Sequence, residues 1–227
     1  MNTEDAVRRG QPGSYQRVQL PIRSSVALPT PRSAECTFAA ALDSRVSGET
    51  FNQPTNEELS NFLGHVCGIR SIDRDDRNRQ KRRVASMGAL HPAHLLVYLR
   101  TMGWCVYEPA GHSLGLLAVR EESSEQLLQL VDEHMPGHGA AVICLLSDYD
   151  LATNYYENCM PLLFRDAGVL MGHAALVAAA YGLSFRILGR TGTATTESLV
   201  TGVRFTPLAT GLALLGSKPT SEPQGRI

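Results

Sequence analysis

The longest apolar stretch of the chain lies in its C-terminal half. From Ala167 to Leu183 there is no charged residue, and Ala, Leu, Val, Gly and Met predominate. A helix that is apolar on every face is buried in a protein or a membrane. Spanning a bilayer requires ~20 apolar residues, and Arg165 and Asp166 stand at the start of this stretch. The pattern therefore predicts a helix over Met160–Leu183, buried in a soluble core and ended by Gly182 in a left-handed cap.

Shorter patterns predict the elements around this helix. Thr55 and Glu58 form a capping box ahead of apolar residues at helical spacing, and Gly68 ends that helix. The run Gly139–Leu146 is continuously apolar, which is typical of a strand buried on both faces. The other predicted elements are helices at Ser33–Ser44 and Ser123–Val131 and strands at Leu95–Leu99, Trp104–Tyr107, Ser184–Leu188 and Pro207–Leu215. Helices and strands alternate without repeats, so the fold class is α+β or α/β in one domain.

The two ends of the chain have a different composition. Residues 1–33 are rich in Pro, Gly, Ser and Arg, which predicts a flexible N-terminal arm without a packed element. Residues 34–216 form the predicted domain, and residues 217–227 a C-terminal tail. Between Gly189 and Thr196 a Gly/Thr-rich segment predicts a turn. The N-terminus has no apolar signal region, and the cysteines show no paired spacing, so we expect a cytoplasmic protein with free thiols.

Charge excludes some classes of function. The net charge is −1, so there is no basic field of the kind that nucleic-acid-binding proteins carry. The most charged run, Arg70–Arg83, has no interleaved aromatic residues and is interpreted as a solvated loop, with a local role near an anion left open. His91 and His94 are three residues apart without a nearby Cys or carboxylate set, so no metal site is predicted. Motifs of serine hydrolases, zinc proteases and P-loop proteins are absent.

Four short segments stand out by their order. They are Arg45-Val-Ser47 after a short helix, Ser86-Met-Gly88-Ala89-Leu-His-Pro92 before a strand, Asp166-Ala-Gly168 at the buried helix, and Leu215-Gly216 at the last strand. Together they resemble the nitroreductase-like flavoprotein family, specifically the azoline dehydrogenases that form thiazoles and oxazoles in ribosomally made peptides. The resemblance extends from about Leu42 to Gly216. It implies a sheet wrapped by helices around a long buried helix, in a homodimer with FMN at the interface.

The resemblance also implies the residues that bind FMN. Arg45 and Ser47 correspond to the phosphate-binding turn, where a guanidinium and a hydroxyl suit phosphate oxygens. Glu49 stands where the family has a second cation, so Arg82, Arg83, Arg190 or Arg226 is expected to replace it. The turn Ser86, Met87, Gly88 and Ala89 is expected along the isoalloxazine ring, and Leu188, Gly189 and Arg190 on its other face.

The catalytic positions depart from the family. Its usual Lys-Tyr pair falls on Asn154 and Tyr155, followed by Tyr156. An amide cannot take up a proton near neutral pH, so Tyr155 is the predicted base if a nearby cation lowers its pKa. Alternatively, Tyr149, Tyr155 and Tyr156 form aromatic packing.

The implied reaction is FMN-dependent oxidation of an azoline to an azole in a modified peptide. The implied partners are the peptide and a cyclodehydratase complex, with neither nucleic acid nor membrane. Two alternatives stay open: a nitro- or ene-reductase that uses NAD(P)H, and a weakly active scaffold subunit of a peptide-modifying complex.

Overall fold

The structure is a computed structural model that describes residues 5–218. Its strands are β1 (Val7–Arg8), β2 (Ile22–Ala27), β3 (Ile69–Ile72), β4 (Gln80–Arg82), β5 (Ala93–Leu99), β6 (Gly103–Glu108), β7 (Ser113–Leu117), β8 (Ala141–Asp148), β9 (Tyr156–Glu157), β10 (Leu183–Ile187) and β11 (Pro207–Ser217). Its helices are α1 (Phe38–Ser44), α2 (Asn56–Cys67), α3 (Glu121–His134), α4 (Tyr149–Tyr155), α5 (Met160–Ala180) and α6 (Thr193–Leu199). A 3-10 turn covers Met87–Ala89.

Seven strands form one antiparallel sheet in the order β10-β11-β8-β5-β6-β7-β2. The pairs β1-β9 and β3-β4 form two small separate sheets. Strand β8 is buried along its whole length. Its residues Ile143 and Leu145 face the core that contains α2 and α5, while Cys144 and Leu146 face the core that contains α3 and α6. The α+β prediction and the prediction of a doubly buried strand are confirmed.

Helix α5 lies where the apolar stretch predicts it, and Gly182 follows it with φ of +68°. Leu163, Ala167 and Leu170 on one face are buried. On the opposite face Val169 is 42% exposed, so burial on every side is wrong for the single chain. Among the described residues α5 is the one helix that is long and apolar enough to cross a membrane, a test that core helices also pass.

The capping box of α2 is confirmed. Glu58 N–H donates to Thr55 Oγ1 at 3.2 Å, and Thr55 N–H donates to Glu58 Oε2 at 2.8 Å. These two bonds satisfy amides that a helix start otherwise leaves without partners. Gly68 is the C-cap, as predicted.

The N-terminal arm contains a packed strand that its composition does not predict. Strand β2 pairs with β7 at the edge of the main sheet, and Leu20 beside it is buried. The expectation of an arm without a packed element is therefore wrong for this part. All six residues of β2 are exposed, so its side chains carry no apolar alternation that would reveal a strand.

Two further expectations need correction. The charged run 70–83 is not simply a solvated loop, because it contains the hairpin β3-β4, and Asn78 and Gln80 within it are buried. The Gly/Thr-rich segment continues into helix α6, in which Thr196 and Leu199 are buried. In both segments long-range packing outweighs the polar local sequence.

Candidate functional site

The turn Ser86–Ala89 is fixed to the N-terminal half of α5 by one carboxylate. The Ser86 hydroxyl donates to Asp166, and the Met87 N–H donates to both carboxylate oxygens of Asp166 at 3.0 Å. Ser86 Oγ in turn accepts from His91 N–H at 2.9 Å. The amide of Met87 and the hydroxyl of Ser86 are thus already paired within the chain.

The middle of this turn is flat and small. Gly88 and Ala89 adopt φ of +51° and +60°, in the left-handed region. Arg79 Nη1 donates to the Gly88 carbonyl at 2.8 Å. A Cβ on Gly88 would lie 2.8 Å from the Tyr156 hydroxyl, so a larger residue cannot fit without displacing that tyrosine. The turn therefore presents backbone, with Tyr156 and Arg79 beside it.

Tyr155 is held in a polar network below the turn. Its hydroxyl donates to Asp76 Oδ2 at 2.6 Å and accepts from Asn78 Nδ2 at 3.1 Å, and the Arg79 guanidinium lies 5.2 Å from its ring centre. Burial, and next the bond to Asp76, raise the pKa of Tyr155. The neighbouring cation that the base hypothesis requires is present, but the pKa is not lowered.

The other two predicted catalytic residues differ in position. The Asn154 side chain lies against the arm, since a Cβ on Gly13 would be 2.6 Å from Asn154 Oδ1. Its Nδ2 is buried and has no hydrogen-bond partner within the described part of the chain. The half-buried Tyr156 has its hydroxyl beside Gly88. The structure thus brings Tyr156 to the turn, while the hydroxyl of Tyr155 is directed to Asp76.

The predicted phosphate residues lie at the edge of the sheet. Arg45 caps the end of α1, Ser47 bridges to Phe185 in β10, and Gly48 N–H donates to the Phe185 carbonyl at 2.9 Å. Arg45 and Ser47 are both exposed. Within residues 5–218 Arg45 forms no ion pair, so its guanidinium is available to an anion.

The phosphate residues and the Ser86–Ala89 turn occupy different ends of α5. Val46 and Gly48 share a small cavity with Ala175 and Ala179, whereas the turn binds Asp166. Nine to thirteen residues separate these contacts along α5, which corresponds to about 14–20 Å at 1.5 Å per residue. The two predicted halves of the cofactor site are therefore separate within one chain.

A cation that is not among those predicted, Lys218, lies near the segment that contains Arg45. Lys218 lines the same cavity as Val46 and Gly48, because β11 ends there next to the start of β10. Arg190 lies three residues beyond the end of β10, whereas Lys218 follows the residue that pairs with Leu183 at the start of that strand. The charge of Arg83 acts on the hydroxyl of Tyr181 at the C-terminal end of α5, and Arg82 donates through Nε to Gln80 Oε1 at 3.2 Å. Arg226 lies outside the described residues.

The segment Leu188–Arg190 follows β10. Leu188 is buried, and its N–H donates to the Leu212 carbonyl at 2.9 Å, while Gly189 and Arg190 are exposed. Gly189 has open space around the position of a Cβ. Gly189 therefore leaves room for a group to approach its backbone from outside.

Comparison with solved structures decides the fold. No protein-family model matches the chain, and no curated protein matches it. A candidate nitroreductase from Ralstonia eutropha superposes with a TM-score of 0.62 at 18% identity, over 93% of this chain and 94% of that one. A candidate nitroreductase from Anabaena variabilis gives 0.66 at 16% identity, over 90% of this chain and 45% of that one. The chain has a nitroreductase-like fold.

Two further neighbours of this nitroreductase-like fold have bound molecules in their structures. The E. coli microcin synthetase McbBCD complex with truncated pro-MccB17 bound contains a chain with a TM-score of 0.60 and 16% identity, over 86% of this chain and 79% of that one. A candidate nitroreductase from Desulfovibrio desulfuricans in complex with FMN gives 0.51 at 14% identity, over 86% and 93%.

Sequence reasoning missed the residues that hold the turn in this nitroreductase-like fold. Arg17, in the arm, donates through Nη1 to the His91 carbonyl at 3.0 Å and through Nη2 to the carbonyls of Leu90 and Asn78. Asn78 Oδ1 accepts from the Arg17 N–H at 2.7 Å. Asn78 belongs to the charged run 70–83, but its contact with Arg17 joins residues more than sixty positions apart. A contact of this kind leaves no local pattern in the sequence.

The two histidines near the turn, His91 and His94, are in environments that keep their imidazoles uncharged. Burial lowers the pKa of both His91 and His94 to about 3, so both imidazoles are neutral at physiological pH. The ring of His94 stacks on Phe205 with 5.2 Å between centres. His94 Nε2 is buried and has no hydrogen-bond partner within the described part of the chain.

Proposed function

We propose that this chain is an FMN-dependent oxidoreductase that works as a homodimer. The observation that carries the proposal is the division of the predicted cofactor contacts between the two ends of α5 in a nitroreductase-like fold. When bound, FMN accepts two electrons from a substrate as a hydride. The FMN complex of the Desulfovibrio neighbour supports a flavin at the level of the fold.

The homodimer is supported by an uncovered apolar face. Phe38 of α1 is 71% exposed, and Phe164 and Val169 of α5 are also exposed, in neighbouring helices. Gly168 and Gly172 on the outer face of α5 have open space around them, so a second helix can approach closely. A two-fold axis that pairs α5 with its copy in antiparallel orientation places Arg45 of one protomer towards the Ser86 turn of its partner.

The residues present fit FMN under this arrangement. Arg45, Ser47 and Lys218 offer two cations and a hydroxyl for the phosphate. The exposed Glu49 repels a phosphate, and Lys218 offsets it. The Ser86–Ala89 turn of the partner provides a flat wall of small residues for the ring. The exposed Gly189 provides the other wall.

We further propose that the substrate is an azoline in a modified peptide. Such a ring loses a hydride and a proton to become an azole, and the McbBCD neighbour with its bound peptide supports a peptide-modifying role. The partners would be a cyclodehydratase complex and the peptide, in the cytoplasm. Because Tyr155 keeps its proton, we assign the proton-accepting position to the neighbourhood of Tyr156.

The first experiment measures FMN in the purified protein and the affinity of its variants for FMN. The purified protein is expected to carry FMN, and Arg45→Ala and Lys218→Gln are each expected to weaken FMN binding at least about tenfold, which corresponds to one charge-assisted hydrogen bond. Lys81→Gln, an exposed lysine in β4, is the matched control. Unchanged affinity in both variants would contradict the phosphate assignment.

The substrate is then tested with an azoline-containing peptide. Oxidation of the peptide by oxygen without added nicotinamide supports the dehydrogenase. Rapid reduction of bound flavin by NAD(P)H, without peptide oxidation, would indicate the reductase instead. A protein without flavin that binds only the cyclodehydratase would indicate the scaffold subunit.

A further inference from the structure

A small internal cavity lies between the arm, the β3-β4 hairpin and the ends of β5 and β6. It measures about 40 Å³, and its polar lining includes Arg17, Gln19, Gln80, Arg82 and Glu108. A buried water needs about 10–15 Å³ by this measure, so the cavity accommodates about three water-sized groups. A carboxylate group has three heavy atoms and matches that size.

The two arginines of this cavity have no charged partner. Among residues 5–218 neither Arg17 nor Arg82 has a carboxylate oxygen within 4.0 Å. Arg17 Nε is buried without a hydrogen-bond partner, while Arg82 donates through Nε and Nη2 to Gln80 Oε1 and also has a hydrogen bond with Cys67. The other nitrogens of the Arg17 guanidinium donate to backbone carbonyls. Carbonyl and amide oxygens carry no full negative charge, and a buried charge without a counter-charge is costly.

The remaining titratable groups near the cavity do not supply a full counter-charge. Burial raises the pKa of Cys67 to about 11 and raises that of Tyr107, so both are neutral. Burial raises the pKa of Glu108, and within residues 5–218 no carboxylate oxygen of Glu108 lies within 4.0 Å of either guanidinium. His94 is neutral, and the buried Asp148 acts on Arg17 only at a distance, since its oxygens accept from Tyr15 and Leu151.

We infer that the cavity between Arg17 and Arg82 is a binding site for the carboxylate of an anionic ligand. Arg17 Nε and the guanidinium of Arg82 provide charge-assisted donors. Arg17, Gln19 and Gln80 also line a cleft of about 730 Å³ between the arm and residues 74–78. The cleft has room for the body of a ligand whose carboxylate occupies the inner cavity.

The proposed carboxylate site is connected to the Ser86 turn through the side chains of Arg17 and Arg82. Arg17 donates to the carbonyls of Leu90 and His91 at the end of that turn, and Arg82 lines a second small cavity next to Ser86 and Asp166. A carboxylate bound here therefore touches the residues that position the turn. The inference does not depend on FMN, since it rests on the two arginines and their cavity alone.

The test is calorimetric titration of the purified full-length protein with N-acetylglycine and with N-acetylglycinamide, its neutral counterpart. We expect N-acetylglycine to bind at least about tenfold more tightly than the amide, in keeping with charge-assisted hydrogen bonds. Arg82→Gln is expected to remove that preference, and the adjacent exposed Lys81→Gln to retain it. Binding is measured by heat, so the result is independent of flavin content and turnover.

Three results would overturn the inference. They are equal affinity for the acid and the amide, an unchanged preference in Arg82→Gln, and tighter binding of inorganic phosphate than of N-acetylglycine at equal ionic strength.

A second measurement needs no variant. The Nε–Hε signal of Arg17 in a ¹H–¹⁵N spectrum is expected to shift with N-acetylglycine and not with the amide, and no shift in either case would contradict the assignment.

Discussion

Two tyrosines that are adjacent in sequence can have different roles when their hydroxyls contact different groups. Tyr155 donates to Asp76 within a partly buried network, while the Tyr156 hydroxyl lies beside the backbone of Gly88. A hydrogen bond to a carboxylate contributes about 1.5–3 kcal/mol to folding. The first tyrosine is thus expected to stabilise the protein, and the second to act in the reaction.

The paired variants Tyr155→Phe and Tyr156→Phe separate these roles. We expect Tyr155→Phe to lower the free energy of unfolding by about 1–3 kcal/mol and to change the rate of flavin reduction by substrate little. Tyr156→Phe is expected to slow that rate at least about tenfold with stability almost unchanged. Urea unfolding and stopped-flow absorbance measure the two quantities. A large loss of rate in Tyr155→Phe, with little loss in Tyr156→Phe, would indicate that Tyr155 is the base.

His94 makes stability depend on pH. Its folded pKa of about 3 lies below the ordinary value of 6.5, so between these values the unfolded chain binds more protons. Its contribution is fully present above pH 6.5 and is lost as the pH falls towards 3, by at most about 1.4 kcal/mol per pH unit. We expect His94→Phe, which keeps the stacking on Phe205, to show a shallower loss of unfolding free energy between pH 6.5 and 5. An unchanged slope would contradict this.

At the scale of elements, the arm illustrates what a local pattern cannot show. Helix α2 and strand β8 are predictable because a capping box and a continuous apolar run are contained in the elements themselves. Strand β2 has only exposed side chains, and it exists because its backbone pairs with β7 about ninety residues away. The contact of Tyr155 with Asp76 is equally remote in sequence.

The packed arm leads to a stability prediction. Leu20 is buried in the same core as Trp104 and Leu117, so Leu20→Ala is expected to lower the free energy of unfolding by about 2–4 kcal/mol. Gln16→Ala, an exposed neighbour, is the control and is expected to change it by less than about 0.5 kcal/mol. Chemical denaturation measures both. If the arm were not packed, Leu20→Ala and Gln16→Ala would change the free energy of unfolding equally little.

At the scale of the whole molecule, the proposed dimer uses two separate parts of each chain as half-sites. The fold and the long helix are predictable from the sequence, as are the two loops, because small residues and capping signals mark them. Their separation along α5 is not, since it depends on how the sheet places β10 and the Ser86 turn relative to that helix. The same is true of Lys218, whose position follows from the register of β11 with β10.

The most direct test of a site shared between protomers is complementation by mixed dimers. Arg45→Ala removes a phosphate contact, and Gly88→Val disrupts the turn, because its side chain meets the Tyr156 hydroxyl. At an FMN concentration well below the Kd of either variant, each variant alone is expected to bind little FMN. After the two are unfolded together and refolded in equal amounts, half of the dimers are mixed, and each mixed dimer contains one intact site. FMN binding is then expected to recover to about one quarter of the wild-type amount. A site built within one chain would give no recovery, and that result would contradict the proposal.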